Sequence, residues 1–164
     1  RIDDRLQSMN DDALELLHKV FVGCEEDIAG KYAQYRFYAY VSSMYHKCEV
    51  LVNEIIPGAS GTNHKVSVAV KNNGMYIAVA HNKAIGNPVN KKETIRFYEI
   101  VDDIKKGDHG TMLSDAIYGS SAGFRGDALV ELENLSKSRI RDTENKLDFK
   151  TANFENNIYS VTKC

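Results

Sequence analysis

The chain has 164 residues, 43% hydrophobic and 27% charged, which suits one globular domain with a substantial core. Its formal net charge of −2, from 21 basic and 23 acidic residues, excludes a strongly basic nucleic-acid binder but leaves room for a local patch. No apolar run reaches the roughly 18 residues of a membrane span, and Cys24, Cys48 and Cys164, without a CxxC pair, argue for reduced thiols over a disulfide framework or a zinc site.

The chain opens on Arg1 with no signal-peptide pattern. A cytoplasmic protein is expected, or a nuclear one in a eukaryote, with no membrane partner. In "SMNDDALELLHKVFVGCEED", Leu14, Leu17, Phe21 and Cys24 recur at helical spacing, with Ser8 and Asp11 where an N-cap and a first-turn acid belong. This predicts a helix over about 9–26, with Gly30 as punctuation. "KYAQYRFYAYVSSMYH" predicts a second helix over about 31–45, with Phe37, Val41, Met44 and Tyr45 on one face. Its tyrosines suit two roles, base stacking or ring packing on a sheet with hydroxyls at the rim.

"KCEVLVNEII" alternates as a strand and is closed by "PGASG". In "KVSVAVKNNGMYIAVAHNK", Val66, Val68 and Val70 alternate with Ser67, Ala69 and Lys71, and Asn73-Gly74 supplies a tight turn. The returning "MYIAVAH" is more continuously apolar, as a central strand covered on both faces would be. The strands at 47–53, 65–71 and 76–81 are therefore expected to be neighbours, the last of them central. "NPVNKKETIRFYEIVDDIKKG" predicts a third helix, with Val89, Ile95, Tyr98, Val101 and Ile104 or their immediate neighbours buried and Gly107 past its end. "SDAIYGSS" reads as a strand, and "GFRGDALVELENLSK" as a fourth helix with Ala128, Leu129, Leu132 and Leu135 inward. "RIR" reads as a last short strand, and the polar tail, 142–164, has no firm pattern.

This order predicts an α/β fold, a mixed central sheet of four to five strands flanked by helices on both faces. The expected organisation is an N-terminal helical extension, 1–30, a core, 31–141, and the tail, 142–164. Between residues 32 and 141, four pieces resemble the Mrr-like branch of the restriction-endonuclease-like (PD-(D/E)XK) superfamily. They are the aromatic helix and strand "YRFYAYVSSMYHKCEVLV", the alternating strand "HKVSVAV", the "VAHN" of 79–82, and "IRFYEIVDDIKKG" with the later "IYGSSAGFRGDALVELENLS".

The resemblance implies a site in which an Asp and a Glu-x-Lys on consecutive strands hold Mg²⁺ and activate water. The Asp position falls on Ser67, the Glu on Val79 and the Lys on His81; only the following Asn82 is retained. A hard divalent cation needs anionic oxygens, which valine cannot supply and a serine hydroxyl supplies weakly. No catalytic residue, cofactor or metal is therefore expected. Mg²⁺ enters only if a divergent nuclease works through Glu54, Lys83 or Glu99.

Several local signals carry two readings each. His64 and His81 suit a transition metal or simple hydrogen bonding at the solvent edge. "GASGTNHK" lacks a phosphate-loop pattern. "GSSAGFRGD" reads as an anion site at a helix start or as a plain connection. Lys65, Lys83, Lys91, Lys92, Arg96 and Arg125 are candidates for a basic rim facing nucleic acid. The leading expectation is an inactive nuclease-fold domain that binds DNA or serves within a nucleic-acid-processing complex, with other subunits or as a homodimer. The alternatives are a divergent metal-dependent DNA endonuclease and a protein-interaction scaffold.

Overall fold

The computed structural model describes residues 25–84, 86–140, 147–154 and 160–163. The chain divides into two units, 1–47 and 48–164. In the first, helix α1 spans Glu25–Met44. It starts before residue 31 and runs through Gly30, correcting the expected stop there. A lone glycine costs a helix interior about 1 kcal/mol relative to alanine, a penalty that does not end a helix. Phe37 and Val41 are fully buried, and Tyr35 is exposed. The helix expected at 9–26 lies, except for its end, outside the described residues.

Among the described residues, the second unit holds a six-stranded sheet whose spatial order follows the chain. Its strands are β1 (Glu49–Pro57), β2 (Asn63–Asn72), β3 (Met75–Lys83), β4 (Asp115–Ser120), β5 (Asp148–Asn153) and β6 (Ser160–Lys163). β1, β2 and β3 form an antiparallel meander, β3, β4 and β5 run parallel, and β6 is antiparallel to β5. The fold is thus a mixed α/β sheet, larger than the expected four to five strands.

The meander follows from its turn chemistry. Asn73 (φ 51°) and Gly74 (φ 78°) both take the left-handed conformation that closes a twisted hairpin, and Asn-Gly takes it at low cost. β3 is third of six, and Ala78, Val79 and Ala80 in it are all fully buried. Burial of successive residues means burial on both faces, as its continuous apolarity predicts.

Helix α2 (Lys91–Lys106) connects β3 to β4, and α3 (Gly126–Ile140) connects β4 to β5. The two helices pack against each other, as two crossovers of the usual right hand moving the same way across a sheet would place them. α2 starts on a capping box. Asn90 Oδ1 accepts from the Glu93 N–H, and Glu93 Oε2 accepts from the Asn90 N–H, each at 3.0 Å. Together these satisfy two otherwise orphaned donors, worth about 1 kcal/mol. At its other end, Lys105 Nζ donates to the carbonyls of Thr111 (3.0 Å) and Leu113 (2.7 Å).

Thr94, Phe97, Val101 and Ile104 form the buried stripe of α2. Phe97 stacks edge-on against Tyr118 of β4, with ring centroids 4.7 Å apart, and faces Phe149 of β5 at 6.4 Å. Ala128, Leu132 and Ser136 are buried on α3, whereas Leu129, expected inward, is 41% exposed. It lies one residue beyond Ala128, about 100° around the helix, away from the buried stripe. The "RIR" strand is also corrected, since residues 139 and 140 continue α3.

The tail is not structureless. Phe149, Thr151 and Ala152 of β5 are buried, and its ladder on β4 pairs Ala116 with Phe149 and Gly119 with Ala152. No described helix is long and apolar enough to cross a membrane, and Cys48 forms no disulfide.

Candidate functional site

The register of the β2–β3 hairpin decides whether the three degenerate positions meet. Ala69 pairs with Val79 and Val68 with Ala80. Strand side chains alternate, so Ser67, two before Ala69, shares a face with Val79 and His81. The hairpin is further tied where it opens, because the Asn82 N–H donates to Ser67 Oγ at 3.1 Å. Val79 is completely buried between Ala69 of β2 and Ala116 of β4. Ser67 is half-buried and His81 exposed. The three positions bring together a hydroxyl, an isopropyl group and an imidazole, with no carboxylate. This donor set does not fit a hard divalent cation. Asn82 points to the other face, and both heteroatoms of its carboxamide are buried without a hydrogen-bond partner among the described residues.

β3 and β4 run parallel and end together, Lys83 opposite Ser120. In open α/β sheets, ligands bind outside such carboxyl ends. The loops that follow are bridged there: Val89 N–H donates to the Gly123 carbonyl at 3.0 Å, and Arg125 N–H to the Val89 carbonyl at 2.9 Å. This edge carries a cluster that sequence reasoning assembled only in part. Lys83, on the same face as His81, forms an ion pair with Glu93 of α2, Nζ to Oε1 2.7 Å. His81 packs edge-on against Tyr118, with centroids 5.6 Å apart.

The charges around this cluster are coupled. Desolvation pushes the His81 pKa below the ordinary histidine value, the Arg96 guanidinium lowers it further, and Glu93 opposes both. Desolvation alone would raise the Glu93 carboxyl. The Lys83 hydrogen bond, the Asn90 N–H and the nearby positive charge outweigh it and hold Glu93 ionised below its usual range. Desolvation, with the Glu93 charge, drives the Tyr118 hydroxyl up to about 12. At neutral pH these shifts favour an ionised Glu93, an uncharged His81 ring and an uncharged Tyr118 hydroxyl at this edge.

Beside it lies a concavity of about 690 Å³ lined by Asn90, Lys91, Lys92, Ile95, Arg96, Glu99 and Asp127. It gathers three of the six candidate basic residues. Of the other three, Lys83 is held by Glu93, Arg125 Nε lies 3.8 Å from Asp127 Oδ1, and Lys65 is exposed on β2. Lys91 also reaches Glu131, at 3.5 Å.

The fallback acids do not join His81 and Lys83. Glu99 lines the concavity, and Glu54 on β1 acts on Tyr76, whose hydroxyl is raised first by burial and then by the Glu54 charge. The acid beside Lys83 is Glu93. Its sequence signal was the Asn90-x-x-Glu93 capping pattern. The two histidines do not converge either. His64 Nε2 lies 2.6 Å from Asp103 Oδ2, and Ser60 N–H and Oγ also donate to that carboxylate. This group straps the β1–β2 turn to α2. Among the described residues, no three His, Cys, Asp or Glu side chains gather as a metal site would require.

Fold and edge together define an α/β protein with a mixed sheet and a carboxyl edge that carries charges of both signs. No protein-family model and no curated protein matches the chain. Among solved structures it is similar to AF1548, a protein of unknown function, with 15% identity and a TM-score of 0.45 over 70% of this chain. The chain spans 55% of that protein's length.

Proposed function

We propose that this chain is a non-catalytic nuclease-fold domain of the restriction-endonuclease-like type that binds nucleic acid at the carboxyl edge of β3 and β4. One observation carries the reading. The register aligns Ser67, Val79 and His81 on one face of a central hairpin, as a metal site would be, and none of them bears a carboxylate. Lys91, Lys92 and Arg96, gathered beside that edge, supply the charge a phosphate backbone needs. A divergent Mg²⁺-dependent nuclease is the second reading, favoured by the pairing of Lys83 with Glu93. It is weaker, because this carboxylate is spent on a lysine and a capping bond, and among the described residues no three His, Cys, Asp or Glu side chains gather as a metal site would require.

The test is fluorescence anisotropy with a short DNA duplex over a salt series. If Lys91, Lys92 and Arg96 each reach a phosphate, log K falls against log[salt] with a slope of about −2.7. Salt-independent or absent binding overturns the reading. Mg²⁺- or Mn²⁺-dependent cleavage by the purified chain replaces it with the second one.

A further inference from the structure

We propose that Glu93 is a built-in competitor for the nucleic-acid phosphate at this edge: its carboxylate occupies Lys83 in the free protein and must yield that lysine for a phosphodiester oxygen to bind there. The inference rests on the nucleic-acid reading above and concerns how the same site is regulated.

The geometry carries it. Lys83 stands at the end of β3 on the face of His81, outside the concavity that gathers Lys91, Lys92 and Arg96. Its ammonium meets an anionic oxygen already, Glu93 Oε1 at 2.7 Å. That is the distance of a charge-assisted hydrogen bond, and a phosphate oxygen would take it as well. The pair is partly open to solvent, with 21% and 33% of the two side chains exposed, which leaves an incoming anion a path to the lysine. Glu93 has a second anchor, Oε2 on the Asn90 N–H, which keeps the carboxylate in place independently of Lys83. Arg96 follows Glu93 by three residues, one turn along the same helix, so a phosphate on Lys83 would lie beside a second cation. The competitor thus masks one contact of a composite site and leaves the remaining cations in play.

The variant Glu93→Gln separates charge from structure. Glutamine at the third helical position keeps the capping box, so α2 retains its start, and only the negative charge is lost. The duplex salt series is then run on four proteins: the parent, Glu93→Gln, Glu93→Gln with Lys83→Gln, and Glu99→Gln. Glu99→Gln removes an equal charge from the concavity without freeing a lysine. The expected result is a several-fold gain in affinity for Glu93→Gln, with a slope steeper by about 0.9, the signature of one added phosphate contact. The double variant is expected to return to the parent slope. Three results overturn the inference: an unchanged slope in Glu93→Gln, a gain that survives loss of Lys83, or an equal steepening in Glu99→Gln. If the parent binds with the expected salt dependence and Glu93→Gln matches it, only this inference falls. If neither protein binds, the nucleic-acid reading falls with it.

Discussion

Restoring the missing chemistry tests the placement of the degenerate site. The perturbation is the triple change Ser67→Asp, Val79→Glu, His81→Lys. Its cost is concentrated at Val79, which is 0% exposed between Ala69 and Ala116. Losing the buried valine removes up to about 1.5–3 kcal/mol. Keeping the new carboxyl neutral at pH 7, against an ordinary pKa near 4.3, costs about 3.7 kcal/mol more, at 1.36 kcal/mol per unit. The sum, about 5–7 kcal/mol, rivals the whole stability of a small domain. Ionised beside the new acid at 67, the two carboxylates repel each other unless a cation lies between them. The variant is therefore expected to be marginal without metal. Mg²⁺ at about a hundredfold its Kd returns about 2.7 kcal/mol. At about 2–4 °C per kcal/mol for a chain of this size, that raises the melting temperature by about 5–11 °C. The assay is a melting curve of parent and variant with and without Mg²⁺, the parent being expected not to respond. A folded variant with no Mg²⁺-dependent shift would refute the assignment of these three positions.

Two other outcomes follow from packing and charge. An added Cβ at Gly110 would lie 1.9 Å from the Ile104 carbonyl oxygen, a backbone atom at the end of α2, so Gly110→Ala is expected to cost about 1–3 kcal/mol or more in urea unfolding; a neutral result would show that the loop shifts freely. Asp103 is held down to about 2, first by the His64 hydrogen bond and then by those of Ser60. A carboxylate lowered on folding contributes stability that is present above its ordinary 3.8 and lost as pH falls toward 2. Asp103→Asn should therefore destabilise at pH 7, and its gap from the parent should close across that interval in circular-dichroism melts; a gap of constant size from pH 7 down to 2 would show that the charge is not what the strap uses.

Elements dictated by local rules were legible in the sequence. Asn73-Gly74 marked the hairpin, the unbroken apolarity of 76–81 marked the central strand, and the spacing of Val101 and Ile104 marked α2. Elements that depend on a partner were not. β5 contains one large apolar residue, Phe149, and becomes a strand because the exposed edge of β4 offers a ladder; context of that kind outweighs intrinsic strand preference. The candidate site divides in the same way. The shared face of Ser67, Val79 and His81 follows from alternation and a turn, both written in the sequence. The acid beside Lys83 depends on where α2 begins. An acid sought along the helix falls on Glu99, whereas the capping pattern puts Glu93 at its start, where the strand ends.

The outer strand β1 has a consequence for behaviour in concentrated solution. Val52 and Ile55 on it are half or more exposed, and an apolar strand at a sheet margin is a template on which other chains can stack. Between those two residues, Asn53 takes φ 50°, a left-handed conformation that interrupts the flat run, and Pro57 closes the strand with a residue that has no N–H to donate. Together they leave only short stretches to which an incoming strand could add. The kink in β1 thus shortens the regular run that an added strand could pair with, and replacing Asn53 with a β-branched residue, which disfavours a positive φ, is expected to strain the strand at that point.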